Sequence, residues 1–250
     1  MDSAALSDPA AFVGMTTAEA VTALVASRTD IEALQIVEYS APPLLDGRTN
    51  LDDSDRAVVA LAMKLREQVG LPFWDAVFAT ALREGASIDH FSDAAMFHQG
   101  IYSTKQIVDR DDVQRGGLIA AAKTSPGQPR RALCSEVILR GRKHTGHLPM
   151  LDFHPRPSAA VEPLIQTVCR HLFGSAVLIL ESGRSYHALG TEAVSADAYL
   201  DLLARSTLFG PIVDRAYVAH QVLERQGSLR LSAVSGTHEM PMVVSVVVPA

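Results

Sequence analysis

The chain has 250 residues, 48% of them hydrophobic and 20% charged, with a formal net charge of −6; such a composition belongs to a folding globular protein and excludes the disordered and fibrous classes. No apolar run reaches the roughly 20 residues of a bilayer-spanning helix, and the acidic start Met1-Asp2-Ser3 lacks the basic flank of an export signal, so a cytoplasmic protein without membrane attachment is expected. Cys134 and Cys169 have no C-x-x-C spacing, which argues for buried free thiols rather than a disulfide framework or a zinc cluster.

Charge is unevenly spread. Residues 1–100 carry 6 Lys and Arg against 15 Asp and Glu, residues 101–145 carry 9 against 4, and residues 146–250 carry 7 against 9. The middle segment alone is basic, as a protein that handles a polyanion requires.

The first hundred residues predict mostly helix. Thr16-Thr17-Ala18-Glu19 is a capping-box pattern ahead of Ala20–Val25, and Asp52 to Asp55 place acid at the start of a helix over Arg56–Val69. In that helix Val58, Leu61, Ala62 and Leu65 recur at helical spacing and predict a buried face. Gly70 ends it and Pro72 opens the next helix, whose Phe73, Trp74, Val77, Phe78 and Ala81 predict an aromatic-rich core stripe. Residues 101–131 are polar and broken by Gly116-Gly117 and Ser125-Pro126-Gly127-Gln128-Pro129, which predicts a basic loop or arm between two regions.

From 132 onward short apolar runs alternate with helical patterns. Strands are predicted over Ala132–Leu139, Leu148–His154, Ala176–Glu181, Ser185–Leu189, Ser228–Ser232 and Met242–Val248, and helices over Ser158–Leu172, Ser195–Ser206 and about Asp214–Glu224. The expected organisation is therefore a helical region over 1–100, the basic arm over 101–131, and an α+β core over 132–250 with a mixed or antiparallel sheet.

Three segments of the core carry chemistry. Leu151-Asp152-Phe153-His154 ends an apolar strand with two polar side chains two positions apart, a spacing that places both on one face, where a carboxylate and an imidazole can ligate a divalent cation. In Glu181-Ser182-Gly183-Arg184-Ser185-Tyr186-His187 a glycine turn joins two strands, and Arg184, Ser185 and His187 suit phosphate oxygens. Phe209-Gly210-Pro211-Ile212-Val213-Asp214 leads to a carboxylate that suits either a helix cap or a metal. Arg230 then interrupts the apolar strand Leu229-Arg230-Leu231, either paired with a buried carboxylate or held for an anion. No Walker loop or G-x-S-x-G is present.

In this order, an h-D-x-D-like strand, an S-x-H strand, an h-D segment and an Arg-bearing strand resemble the core of the archaeo-eukaryotic primases and primase-polymerases. Ser182-Gly183-Arg184-Ser185-Tyr186-His187 and Val213-Asp214-Arg215-Ala216-Tyr217-Val218-Ala219-His220-Gln221 are similar especially to the bacterial primase 1D-like proteins, and the resemblance covers about residues 130–250. It implies an RRM-like sheet core. It also implies Mn²⁺ or Mg²⁺ held by Asp152, His154 and Asp214, a nucleoside triphosphate contacted by Arg184, Ser185, His187 and Arg230, and nucleotidyl transfer on a DNA or RNA template. His154 stands where the family's second Asp would be, which favours a borderline cation over Mg²⁺. It leaves room for an inactive nucleotide- or nucleic-acid-binding adaptor, and Glu181 is the nearest replacement carboxylate if its strand faces the same way.

Overall fold

The structure, a computed structural model, describes residues 8–39, 50–96, 102–123, 129–141, 145–233 and 240–249. It divides into two compact units, one made of residues 1–40 with 102–250 and the other of residues 41–101.

The larger unit opens with α1 (Thr17–Ser27), whose N-cap Thr16 and Glu19 form the expected capping box. Next come β1 (Ile31–Tyr39), β2 (Tyr102–Asp109), β3 (Arg130–Leu139), β4 (Thr145–His147) and, near the C-terminus, β8 (Ser228–Arg230). Among the described residues these form one antiparallel sheet in the order β2-β1-β3-β4, with β8 paired to β3. A second antiparallel sheet, β5-β7-β6-β9, is built from β5 (Met150–Asp152), β6 (Val177–Glu181), β7 (Tyr186–Gly190) and β9 (Met242–Val247).

The period of two in the second sheet sorts its side chains between two cores. Met150, Leu178, Leu180 and Leu189 join α1 and the first sheet's Leu34, Ile36, Leu133 and Val137, while Leu151, Ile179 and Ala188 pack on α7 (Glu162–Leu172) and α8 (Ala196–Ser206). Each fully buried Leu or Ile contributes about 1.5–3 kcal/mol. Cys134 and Cys169 are buried and unpaired, and burial pushes the Cys134 thiol up to about 12.

The predicted helices over 158–172, 195–206 and 214–224 correspond to α7, α8 and α9 (Arg215–Glu224). Differences concentrate in three places. The strand expected over Leu148–His154 is two strands, because Pro149 has no N–H to give a ladder; the chain leaves the first sheet at His147 and enters the second at Met150. Within residues 101–131 lie β2, α5 (Arg110–Gln114) and α6 (Gly117–Ala122) where a loop was expected. β2 lies at the sheet edge, so Lys105, Gln106 and Ile107 are exposed in succession and no alternation marks the strand. The helical reading of residues 1–100 also lacks β1, which lies between β2 and β3.

The smaller unit contains α2 (Asp53–Val69), α3 (Phe73–Glu84) and α4 (Asp89–Met96). Gly70 caps α2 in the left-handed conformation at φ 70°, as its position in the sequence predicts. Val58, Ala62, Val77 and Ala81 are buried, with Phe73, Trp74 and Phe78 partly buried against them. Leu61, expected in the buried face, is 36% exposed instead. Among the described residues no helix is long and apolar enough to cross a membrane.

Candidate functional site

The second sheet ends in polar side chains. Asp152, the last residue of β5, is the register partner of His187 on β7, so the two side chains leave the same face. His187 Nε2 lies 3.7 Å from Asp152 Oδ1, and Ser185, two residues before His187, donates its hydroxyl to the same oxygen at 3.1 Å. The turn between β6 and β7 is fixed by Gly183 at φ 85° and by the Ser182 hydroxyl, which donates to the Ser185 carbonyl at 3.0 Å. Arg184 is exposed at that turn.

Asp214 arrives by backbone pairing. Its N–H donates to the Asp152 carbonyl at 2.9 Å, Phe153 and Val213 form an isolated bridge, and the His154 N–H donates to the Ile212 carbonyl at 2.9 Å. Asp214 also caps α9, its Oδ1 accepting the Ala216 and Tyr217 amides at 3.0 and 3.1 Å. The two readings of this residue are thus compatible, since one carboxylate oxygen serves the cap and Oδ2 lies outside it. Arg230 on β8 donates to the carbonyls of Ser182 and Ser232.

Electrostatics follow from this crowding. Burial, and then the neighbouring Asp214 charge, push the Asp152 carboxyl up to about 7, against the opposing pull of the Ser185 hydroxyl, the Phe153 amide and Arg230. Burial, and then the Arg230 charge, push the His187 ring down to about 3. His187 Nδ1 is buried without a hydrogen-bond partner among the described residues. An unpaired polar atom in a buried position is costly, and it points to a missing partner.

A family-model comparison matches residues 110–242 to the family described as AEP-like, archaeo-eukaryotic primase 1D-like, which is more than half of the 250 residues. The chain belongs to the archaeo-eukaryotic primase 1D-like family. The match starts about twenty residues before the expected 130 and takes in the helices α5 and α6, so this primase-like α+β core includes part of the segment read as an arm. Comparisons with curated proteins and with solved structures give no match.

Set against the family's order of motifs, the structure of this primase 1D-like chain brings together Asp152, Ser185, His187, Asp214 and Arg230. For His154 the structure gives the backbone bond to Ile212, and among the described residues no hydrogen bond or ion pair from its ring to either carboxylate. Nor does Glu181 substitute for the missing acid. It is exposed and is the register partner of Tyr186, which packs into the core on the opposite face from His187.

A different trio, unforeseen as a group, lies in the smaller unit. Metal-capable atoms of Asp52, Asp55 and His90 lie within 4.8 Å of one another. Asp52 and Asp55 form the capping box of α2, and His90 Nδ1 lies 2.7 Å from Asp55 Oδ2. Sequence gives the acids a capping role but no signal for His90, which is 35 residues away.

Proposed function

We propose that this family member is a divalent-metal-dependent nucleotidyltransferase of the primase-polymerase kind, using nucleoside triphosphates on a DNA or RNA template with Mn²⁺ or Mg²⁺. The observation that carries the proposal is the meeting of Asp152, Ser185, His187, Asp214 and Arg230, brought from β5, the β6–β7 hairpin, the start of α9 and β8 to one end of the second sheet.

The donor set fits a hard or borderline cation. Two carboxylates sit close enough for the charge on Asp214 to raise the proton affinity of Asp152, and a cation between them would relieve that repulsion. Asp152 and Asp214 would hold it, and when bound it would supply Lewis-acid stabilisation of charge developing on phosphate oxygens. The chain's own groups do the rest. Ser185 fixes the Asp152 carboxylate by donating to Oδ1, and the buried His187 Nδ1 supplies a ring nitrogen for a phosphate oxygen. Arg230 contributes a fixed positive charge beside both, and Arg184 presents a second at the exposed turn.

The test is nucleotide incorporation on primed and unprimed templates with each metal. Asp152→Ala and Asp214→Ala are expected to abolish it, and incorporation equal to the parent's in both would remove the proposal. A second reading, an inactive nucleotide- or nucleic-acid-binding adaptor, is favoured by His154 in place of an acid and by Glu181 facing away. Calorimetric binding of a nucleoside triphosphate with Mn²⁺, with no pyrophosphate released, would select it.

A further inference from the structure

The elements that deliver Asp152, Asp214 and Arg230 share a buried polar cluster some distance along each of them. Ser135 on β3 and Gly227 bond reciprocally: the Ser135 N–H donates to the Gly227 carbonyl and the Gly227 N–H donates to Ser135 Oγ, both at 2.8 Å. Ser135 Oγ lies 3.0 Å from His147 Nδ1 on β4, and the His147 ring stacks on Tyr199 of α8 with centroids 5.1 Å apart. The Tyr199 hydroxyl donates to Gln221 Oε1 on α9 and lies 3.4 Å from the Met150 carbonyl on β5. Ser135, His147, Tyr199, Gln221 and Gly227 are all buried.

The cluster permits only glycine at one corner. A Cβ on Gly227 would overlap both the Tyr199 hydroxyl and Gln221 Oε1. Gly227 directly precedes β8, Met150 begins the three-residue strand that ends at Asp152, and Gln221 lies on the helix that Asp214 caps. None of these groups touches the site, yet each is fixed to an element that carries one of its residues.

We infer that Tyr199, Gln221 and Gly227 form a positioning cluster that sets β5, α9 and β8, and through them Asp152, Asp214 and Arg230, in mutual register. The inference rests on the metal-binding reading of those carboxylates. It assigns Gln221, part of the Val213–Gln221 segment that marks the family resemblance, a role the site itself does not explain. Gln221 Nε2 is buried without a partner among the described residues, so what joins these elements is the Tyr199–Gln221 bond, the reciprocal Ser135–Gly227 bonds and the space that only glycine fits.

The experiment compares the full chain with Tyr199→Phe, Gln221→Met and Gly227→Ala, and with Ser206→Ala as control; the Ser206 hydroxyl is a buried α8 group bonded to the Leu203 carbonyl, outside the cluster. Mn²⁺ affinity, thermal unfolding and amide exchange at Ala216 and Tyr217 are measured. Tyr199→Phe and Gln221→Met are expected to unfold within a few degrees of the parent, to weaken Mn²⁺ binding about tenfold, and to speed exchange at the two amides. Ser206→Ala should leave affinity and exchange unchanged. Parent-like affinity and exchange in Tyr199→Phe and Gln221→Met would overturn the inference; if Gly227→Ala fails to fold, these two decide. A parent that binds neither Mn²⁺ nor nucleotide would sink the functional reading instead, and amide exchange would still decide the cluster's role.

Discussion

Asp152 and His187 face each other across the β5–β7 ladder, with Oδ1 and Nε2 3.7 Å apart. Burial holds the proton on the carboxyl up to about 7 and keeps the ring neutral down to about 3. Charged partners at this distance usually attract, but here burial penalises the ionised form of each, and Arg230 disfavours a protonated ring.

The two groups pull stability in opposite directions. A ring lowered from 6.5 to about 3 costs stability as pH falls from about 6.5 toward 3, because only the unfolded chain takes up the proton. A carboxyl raised from 3.8 to about 7 costs stability as pH rises from about 4 to 7, because only the unfolded chain releases it. In the metal-free parent these slopes oppose each other between about 4 and 6.5. Asp152→Asn is expected to unmask the first slope and His187→Gln the second, measured by denaturant unfolding across pH. Parallel profiles in all three proteins would contradict the neutral pair.

Asp214 has two separable duties. Asp214→Ala removes the α9 cap, at a cost of about 1 kcal/mol, along with the carboxylate charge, whereas Asp214→Asn keeps an amide-accepting oxygen and removes only the charge. Unfolding should therefore show Asp214→Ala less stable than Asp214→Asn, while Mn²⁺ titration should show both equally impaired. An Asn variant that binds Mn²⁺ like the parent would confine Asp214 to capping.

The His154 ring has no hydrogen bond to Asp152 or Asp214 among the described residues, and Glu181 pairs with Tyr186 on the face opposite His187. His154→Ala and Glu181→Gln are each expected to change Mn²⁺ affinity by less than about twofold, against a loss of more than about tenfold for Asp152→Ala. A large loss in His154→Ala would restore the ligand set that the sequence pattern suggests.

In the smaller unit, His90 is raised by its hydrogen bond to Asp55. The pair stabilises fully below the ring's ordinary 6.5, and this is lost as pH rises through the raised value. The melting temperature of the parent relative to His90→Gln should fall on going from pH 6 to alkaline conditions, with no change on adding Mn²⁺ if the Asp52, Asp55 and His90 grouping serves only as a cap and clamp.

Much of the larger unit was legible because its local signals agree with one another. The strands read over Ala176–Glu181 and Ser185–Leu189 match β6 and β7 to within a residue, and the Thr16 and Ser195 caps mark the starts of α1 and α8. Asp152, Ser185, His187 and Asp214 were legible as types in order, but their meeting depends on the β5–β7 register and on the bond from the Asp214 amide to the Asp152 carbonyl, which no spacing encodes. His154 lies just past the Phe153–Val213 bridge, where its backbone pairs with Ile212 rather than with β7. The β2 edge strand is hidden because Lys105, Gln106 and Ile107 are exposed in succession and break the period of two, and the role of Gln221 is hidden because its partner, Tyr199, lies on another helix.

Tyr39 and Tyr102 are register partners at the ends of β1 and β2, so the 41–101 unit interrupts what is otherwise a hairpin of the first sheet. Its entry and exit points are neighbours, and a few turn residues would suffice to close the gap. A protein spliced this way can gain, lose or exchange its helical insert as a cassette, leaving intact the ladder from which β3 and β8 are hung.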